Sequence, residues 1–319
     1  MKKDFGSDKR RAIDAKFEAQ KIAFGPVMFQ AARLLRNTGI LEYLKKANED
    51  GGSPENISSA LNLSLYGVSV LLDAGLSMGM VKLKNEKYFL TKTGFFILSD
   101  ELTQANLDFV HDVCYKGMFH LEEAIKTGKP AGLKEFGDWK TIYPYLSQLP
   151  ERAKSSWFKF DHYYSDVSFP EVLPVIFNEK VKRLLDIGGN TGKFSLQCTE
   201  YSDDVEVTIM DLPGQLLKAQ ENIKSKGLEH RIHTHALDLL DPSLIFPKGY
   251  NAIWMSQLLD CFSQEQIISI LKRCFNALEN DGHIYILELF WDRQKYEASS
   301  YCINATSLYF TCLANGNSR

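Results

Sequence analysis

The sequence lacks the features that mark membrane and secreted proteins. Its 319 residues contain no apolar run approaching the roughly 18–20 residues that a membrane-spanning helix needs. Residues 1–20 are charged and then amphipathic, without the apolar core of a signal peptide. The six cysteines have no CxxC spacing, which favours reduced, mostly buried thiols over disulfides. These absences predict a soluble, cytoplasmic protein without a membrane partner.

An excess of basic residues is also missing. Lys and Arg number 37 against 40 Asp and Glu, so the net charge is −3. Because proteins that depend on phosphate contacts are basic, nucleic acid is not expected as a partner. The chain is 45% hydrophobic and 24% charged, which is ordinary globular usage and excludes a disordered or low-complexity protein. Its length suits about two domains of roughly 100–200 residues each.

The first half of the chain is rich in helical patterns. Apolar residues recur at steps of three and four through FGPVMFQAARLLRNTGILEYLKKA, which predicts one amphipathic helix ending near Gly51 and Gly52. Ser53 is a candidate cap for a short helix with Pro54 in its first turn.

A second helix and a hairpin complete a winged-helix pattern. The helix is predicted from about Leu65 to Leu76, and MVKLKNEKYFLT alternates apolar and polar residues around Asn85, as a hairpin does. A winged helix that reads DNA places its second helix in the major groove. Here that helix, SLYGVSVLLDAGLSMGM, contains no Arg or Lys for phosphate or guanine. The pattern therefore favours a packing and dimerisation module over DNA binding.

The second half, from about Val181, alternates short apolar runs with helices. The candidate strands are VKRLLDIGG, VEVTIMD, RIHTHALD, YNAIWMSQ and HIYILELFW, and the helical stretches include GQLLKAQENIKSKG and SQEQIISILKRCFNALENDG. Strand–helix repetition with buried strands predicts an α/β fold, a Rossmann-like, doubly wound and mostly parallel sheet. Such sheets bind ligands beyond the carboxyl ends of their strands.

Three segments follow from these patterns. Residues 1–105 are the predicted winged-helix-like dimerisation domain. Residues 106–180 form a helical, aromatic-rich linker that is expected to cover a ligand pocket. Residues 181–319 are the predicted ligand-binding α/β domain.

The segment LLDIGGNTGKF holds the most informative chemistry in the chain. It places Asp186 at a strand end and Gly188, Gly189 and Gly192 in the turn before a helix. Glycines allow the backbone to approach a ligand closely. Unlike the dinucleotide pattern GxGxxG, this turn follows a carboxylate, which repels a pyrophosphate and attracts an ammonium group.

Two further acids follow the next two strands in order. Asp211 ends VTIMD, where a carboxylate accepts both hydroxyls of a ribose. Asp238 in HALDLL is placed to bind an adenine amino group, with Leu239 packing on the ring. One such acid is an ordinary turn residue, but three in order on consecutive strands describe a site for S-adenosylmethionine. His233 and His235 lack a nearby cysteine or paired acid, so no metal is predicted.

With these residues the chain resembles the class I S-adenosylmethionine-dependent O-methyltransferases. The closer likeness is to the two-domain family of plant caffeate-type and bacterial hydroxyneurosporene-type enzymes. The segments that carry it are LLRNTGILEYL, LLDAGLSMGMV, YFLTKTG, HLEEAIKTGKPAG, LLDIGGNTG, MDLPGQL and NALENDGHIYILELF. The resemblance implies a homodimer formed through the N-terminal domain. It also implies methylation of a hydroxyl on a small aromatic or polyketide-like molecule, with S-adenosylhomocysteine as product.

The resemblance assigns site residues position by position. Tyr164 stands where relatives often keep a methionine facing the ligand, and Phe160 lies in the same helical region, so both are candidate acceptor-pocket residues. The cofactor-binding candidates are Asp186, Gly188, Gly189, Gly192, Asp211, Leu212, Asp238, Leu239 and Ser256.

The sequence departs from this family at the catalytic base. The family's histidine position holds Asp260, in LLDCFSQE, while the supporting carboxylate is kept as Glu288. A histidine with a pKa of about 6.5 suits phenol deprotonation better than a carboxylate with a pKa of about 3.9. Three interpretations are open: Asp260 is a base tuned by burial beside Glu288, another group such as His162 replaces it, or no base is required.

The absence of the family's catalytic histidine also leaves other functions open. The scaffold suits N- or C-methylation and hydroxylase- or decarboxylase-like chemistry. A non-catalytic winged-helix regulator that senses a ligand is the alternative from a different class. The sequence stops where relatives of this family continue, and we expect a C-terminal segment to be missing.

Overall fold

The computed structural model describes residues 8–316, which form two compact units. The first unit ends at Asp108 and the second begins at Phe109. The domain boundaries expected at residues 105 and 180 remain predictions. Within the described residues no helix combines the length and apolar character needed to cross a bilayer.

The first unit is a bundle of helices with one hairpin. Its core is made of buried aliphatic side chains such as Leu35, Leu41 and Leu72. The elements are α1 (Ala12–Ala23), α2 (Gly25–Asn37), α3 (Ile40–Ala47), α4 (Pro54–Leu61), α5 (Leu65–Ser77), β1 (Val81–Lys84), β2 (Lys87–Leu90), α6 (Lys92–Ser99) and α7 (Glu101–Phe109).

The single long helix predicted before Gly51 is wrong, because the chain forms two helices there. α2 ends at Asn37 and α3 begins at Ile40. Between them Gly39 has a φ of +87°, a left-handed conformation that glycine adopts without steric cost. The apolar spacing continues through the break, and for this reason the sequence pattern concealed it.

The rest of the winged-helix pattern is confirmed. The Ser53 hydroxyl accepts a hydrogen bond from the backbone N–H of Asn56 at 3.3 Å, which caps α4. α5 covers the predicted helix, and β1 pairs antiparallel with β2. The turn between them is formed by Asn85 and Glu86, both with positive φ.

The second unit contains the predicted sheet. Its longer elements are α8 (Leu121–Thr127), α9 (Glu151–Asp166), α10 (Phe169–Ile176), β3 (Arg183–Ile187), α11 (Lys193–Tyr201), β4 (Glu206–Asp211), α12 (Pro213–Lys226), β5 (Ile232–Ala236), β6 (Tyr250–Ser256), α13 (Gln264–Ala277), β7 (Leu278–Leu287) and α14 (Glu297–Tyr309). The five strands are all parallel, in the order β5-β4-β3-β6-β7. This confirms the Rossmann-like, doubly wound fold.

One predicted helix is too long. The helix expected to continue to Gly282 ends at Ala277, and β7 begins at Leu278. Leu278 pairs with Tyr250 of β6, but the next pair joins His283 to Ala252, so an irregularity separates the two parts of the strand. Backbone pairing with the neighbouring strand therefore overrides the helical propensity of these residues.

Side chains cover both faces of the sheet. Leu184, Val207 and Trp254 are buried in the cluster that includes residues of α10, α11 and α12. Leu185 and Ile253 point into a second buried cluster with residues of α13. Because both faces are filled, a ligand reaches the sheet only at its strand ends.

We expect the cap of α13 to contribute measurably to stability. Ser263 accepts from the N–H of Gln266, whose side chain in turn accepts from the Ser263 N–H, forming a capping box. Ser263→Ala should lower the free energy of unfolding in urea by about 1 kcal/mol. Ser225→Ala, which removes an exposed hydroxyl bonded only to the Asn222 carbonyl, is the control and should change it little. An equal loss in both variants would contradict the capping role.

Candidate active site

A cavity of about 260 Å³ opens at the carboxyl ends of the strands. The turn after β3, the ends of β4 and β6 and the helices α9 and α14 all contribute to its wall. Twelve of the predicted site residues line it: Phe160, His162, Tyr164, Asp186, Gly188, Gly189, Asp211, Leu212, Asp238, Leu239, Ser256 and Asp260. Gly192 and Glu288 are not among the lining residues, although Glu288 binds the backbone of Leu258, which is.

The glycine turn after β3 is tightly packed. Gly188 has a φ of +73°, and a Cβ built there would lie 2.7 Å from Leu258. A Cβ on Gly189 would lie 2.7 Å from an oxygen of Asp186. Gly192 caps α11 with a φ of +78°. Side chains at these positions would therefore distort the turn or close the cavity.

Asp186 is almost completely buried beneath this turn. Its residue is 2% exposed, and Oδ2 accepts a hydrogen bond from the Ser195 hydroxyl at 2.6 Å. Burial, together with the charge of Asp211, raises the pKa of Asp186 to about 7. A cationic group in the cavity would favour the ionised form and relieve this desolvation.

Asp211 is oriented by two backbone groups at the end of β4. The N–H of Asn190 donates to Oδ2 at 2.9 Å, and the N–H of Leu212 donates to Oδ1 at 2.7 Å. Burial raises the pKa of Asp211 to about 6 in spite of these bonds. Each oxygen keeps a lone pair that can accept a ribose hydroxyl.

The expected adenine-binding pair lies slightly beyond its predicted position. β5 ends at Ala236, so Asp238 follows the strand by two residues instead of ending it. Its Oδ1 accepts from the N–H of Leu240 at 2.9 Å, and Leu239 lies beside it in the cavity wall. A turn therefore holds this carboxylate.

Four polar atoms in the cavity wall are buried without a hydrogen-bond partner among residues 8–316. They are Oη of Tyr143, Oδ1 of Asn190, Oγ1 of Thr191 and Oγ of Ser256. Buried polar atoms are normally paired, so such a group marks a place where a polar ligand completes the hydrogen bonding. With the three carboxylates and the glycine turn, this donor and acceptor set fits S-adenosylmethionine.

Asp260 lies in a short turn after β6, and the side chain of Glu288 holds this turn by hydrogen bonds. Oε1 of Glu288 accepts from the N–H groups of Leu258 at 3.0 Å and Leu259 at 2.7 Å. Burial raises the pKa of Asp260 to about 6. The pKa of Glu288 rises to about 8 through burial and the charge of Asp260.

His162 also lines the cavity but is engaged elsewhere. Its Nδ1 lies 3.4 Å from Oδ1 of Asp166, whose other oxygen accepts from Nζ of Lys193 at 2.6 Å. This cluster joins α9 to the start of α11. Among the described residues, the contacts of His162 are with Asp166 and with the ring of Phe158.

Asp161 is a site residue that sequence reasoning missed. It lines the cavity, and its Oδ2 accepts from Nδ2 of Asn190 at 2.9 Å. Burial raises the pKa of Asp161 to about 6. The sequence carried no signal for it, because one acid on an amphipathic helix is ordinarily a solvated residue.

Aromatic side chains complete the wall next to Asp161. The rings of Phe160 and Tyr164 lie 4.8 Å apart, and Phe160 stacks on Phe109 at 3.9 Å. Tyr309 accepts a hydrogen bond from Nε1 of Trp157 at 2.7 Å. These contacts fix an aromatic surface beside the carboxylates.

Comparison with known proteins places the chain in a family. Residues 119–319 match the O-methyltransferase domain, and residues 16–88 match the Dimerisation2-like domain. The chain is 23% identical over 269 residues to an L-tyrosine C(3)-methyltransferase of Streptomyces lavendulae, covering 83% of this chain and 72% of that protein. It is 26% identical over 261 residues to a 3-hydroxy-5-methyl-1-naphthoate 3-O-methyltransferase of Streptomyces sahachiroi, covering 81% and 72%.

Solved structures share the fold. The S-adenosylmethionine-dependent methyltransferase SibL in its apo form matches with a TM-score of 0.71 and 24% identity, over 94% of this chain and 87% of that one. NcsB1 from neocarzinostatin biosynthesis, in complex with S-adenosylmethionine and 2-hydroxy-5-methyl naphthoic acid, matches with a TM-score of 0.65 and 18% identity, over 91% and 86%.

The fold and the cavity define a class I S-adenosylmethionine-dependent methyltransferase of small molecules. The chain belongs to the O-methyltransferase domain family, with a dimerisation domain at its N-terminus. Its cofactor is S-adenosylmethionine.

We expect cofactor affinity to fall as the pH drops below about 7. Below that pH the Asp186 carboxyl takes up a proton, and it then no longer attracts the ligand's ammonium group. Titration calorimetry with S-adenosylhomocysteine should show a loss of affinity on the order of tenfold per pH unit between pH 7 and pH 5. Adenosine, which lacks the ammonium group, is the control and should respond less. An S-adenosylhomocysteine affinity that stays constant from pH 5 to pH 8 would contradict this role.

We expect Asp211→Asn to weaken cofactor binding strongly, because Asp211 is the carboxylate predicted to bind the ribose. The variant loses a charged acceptor and turns an amide NH₂ toward one of the two backbone N–H donors. We expect S-adenosylhomocysteine affinity to fall on the order of 100-fold by calorimetry, as the loss of two charge-assisted hydrogen bonds implies. Asp203→Asn, at an exposed position, is the matched control. Wild-type affinity in Asp211→Asn would remove the residue from the site.

Proposed function

We propose that this methyltransferase transfers its methyl group to a hydroxyl of a small aromatic molecule, with Asp260 as the general base. The carrying observation is the position of Asp260 in the cavity wall with a pKa raised to about 6. The aromatic surface around Phe160 and Tyr164 supports a flat acceptor. Both curated relatives named above have hydroxylated aromatic compounds in their names, which also supports this class of acceptor.

Burial makes Asp260 a better base than an exposed aspartate. A phenol has a pKa of about 10 and an exposed aspartate one of about 3.9. Raising the pKa of Asp260 to about 6 reduces this mismatch by about 2 units, or about 3 kcal/mol of proton-transfer driving force. The carboxylate still loses its own proton below neutral pH, so it is ionised at the pH where it must act.

Glu288 serves as the positioning residue for this base. Its carboxyl binds two backbone N–H groups of the turn and so fixes the direction of Asp260. Burial and the charge of Asp260 raise the pKa of Glu288 to about 8, which favours a single negative charge on the pair at neutral pH. Repulsion between two adjacent carboxylates is thereby avoided.

The cofactor, when bound, supplies an electrophilic methyl group on a sulfonium. The protein's residues provide the remaining requirements. Asp186 and Asp211 hold the ammonium and ribose groups, and Asp238 with Leu239 holds the adenine. Phe160 and Tyr164 orient the acceptor ring, and Asp260 takes the hydroxyl proton as the oxygen attacks. Positioning of this kind contributes much of the rate in methyl transfer.

C-methylation is the second candidate, and the tyrosine C(3)-methyltransferase relative favours it. Removal of a phenolic proton makes both the oxygen and the adjacent ring carbon nucleophilic. The same base therefore serves either outcome, and the orientation of the ring decides between them.

We also propose that the protein is a homodimer formed through its N-terminal unit. The match to a dimerisation domain supports this, as does α1, in which no described residue is buried. Its apolar side chains Ile13, Phe17 and Ile22 are each more than half exposed. Exposed apolar side chains on an otherwise unburied helix are typical of an interface.

We expect Asp260→Asn to lower kcat/KM for a hydroxylated aromatic acceptor by on the order of 10²- to 10⁴-fold, without weakening S-adenosylhomocysteine binding. The assay uses ¹³C-methyl-labelled cofactor with a panel of phenols, catechols and hydroxynaphthalenes. The chemical shift of the product methyl distinguishes O- from C- and N-methylation. In wild type, kcat/KM should rise with pH to a plateau above about pH 6, and this limb should vanish in the variant.

Two variants complete the design. Glu265→Gln, at an exposed position in the first turn of α13, is the matched control and should retain activity. His162→Gln tests the other candidate base. Full activity in Asp260→Asn, or a loss confined to His162→Gln, would contradict the assignment of Asp260.

A further inference from the structure

The cavity has an unbalanced set of charges. Its wall carries six aspartates but only two basic side chains among the residues that the structure describes, Lys193 and His162. Both basic groups contact Asp166. The aspartates are Asp161, Asp166, Asp186, Asp211, Asp238 and Asp260.

Most of these carboxylates already have a role. Asp186, Asp211 and Asp238 face the groups of the cofactor, Asp166 is neutralised by Lys193, and Asp260 faces the acceptor's hydroxyl. Of the six lining aspartates, Asp161 alone has no role assigned so far. It accepts a hydrogen bond from the neutral amide of Asn190, and the basic groups that act on it electrostatically, His162 and Lys193, are both paired with Asp166. A buried carboxylate that shares its cations in this way is stabilised by a further cationic partner in the cavity.

The position of Asp161 places this charge beside the acceptor's ring. It follows Phe160 directly on α9, and Tyr164 lies one helical turn further. Asp161 also interacts electrostatically with Asp260, which lines the same cavity. The acceptor thus meets an aromatic surface and two carboxylates, and no described basic side chain in the wall is free to bind an anion.

We infer that the acceptor is an aromatic amine, held through its ammonium group by Asp161, and that aromatic carboxylates are excluded. This inference rests on the proposed function, because it assumes that the cavity beside α9 receives the methyl acceptor. A charge-assisted hydrogen bond from the ammonium to Asp161 supplies a cation that this carboxylate does not share with Asp166. A carboxylate on the acceptor would meet like charges without a cation to offset them, which gives specificity by repulsion.

Three phenols of similar size test the inference. Tyramine, 4-propylphenol and 3-(4-hydroxyphenyl)propionate carry a cationic, a neutral and an anionic group on the same ring position. Each is titrated calorimetrically into protein saturated with S-adenosylhomocysteine at pH 7.5, so that binding is measured without catalysis. We expect tyramine to bind at least about tenfold more tightly than the propionate, with 4-propylphenol between them.

Asp161→Asn separates the charge of this residue from its structural contact with Asn190. The amide oxygen can still accept from Asn190, so the fold and S-adenosylhomocysteine binding are retained. Tyramine affinity should fall by about tenfold, while that of 4-propylphenol should stay the same. Asp203→Asn, which removes one exposed carboxylate from the same unit, should leave all three affinities unchanged.

The inference is overturned if tyramine does not bind the saturated protein, or if the propionate binds as tightly as tyramine. It is equally overturned if Asp161→Asn keeps the wild-type order of affinities. Failure of the proposed function is a separate result, because S-adenosylhomocysteine binding and the position of the product methyl are measured independently of this order.

Discussion

The desolvation of carboxylates at one edge of the sheet is the constraint on which this site depends. Parallel strands end together, so acids at the carboxyl ends of β3 and β4 and in the turn after β6 line one cavity. Each is held there by donors that fold with it: a hydroxyl for Asp186, and backbone N–H groups for Asp211. The raised pKa values show that this compensation is incomplete. The cavity is therefore prepared for a cationic ligand before any ligand enters it.

Asn190 connects the separate parts of this arrangement. Its backbone N–H binds Asp211 and its side-chain amide binds Asp161 on α9. These two hydrogen bonds connect the glycine turn to the end of β4 and to α9. The residue has a φ of +50°, a left-handed conformation that asparagine tolerates better than most residues. This tolerance allows a polar side chain to stand in a turn that glycine otherwise dominates.

The sequence predicted the five strands and the acids at their ends because both leave local patterns. Buried parallel strands appear as apolar runs, and Asp186 and Asp211 stand in their last two positions. The break at Gly39 and the end of α13 at Ala277 were missed, because apolar spacing and helical propensity continue through both positions. Asp161 was missed for a different reason. Its importance comes from burial beside Asn190, 29 residues away, and no local pattern records such a contact.

The anchoring of the turn by Glu288 has a consequence for the history of this site. The carboxyl binds the main-chain N–H groups of Leu258 and Leu259, which any residue other than proline supplies. The shape of the turn is therefore independent of the side chain displayed two positions later. Residue 260 is free to change from imidazole to carboxylate, or to a group with no basicity, without rebuilding the surrounding backbone. A single substitution at residue 260 can therefore change the reaction, because Glu288 holds the shape of the turn and residue 260 supplies the reactive group.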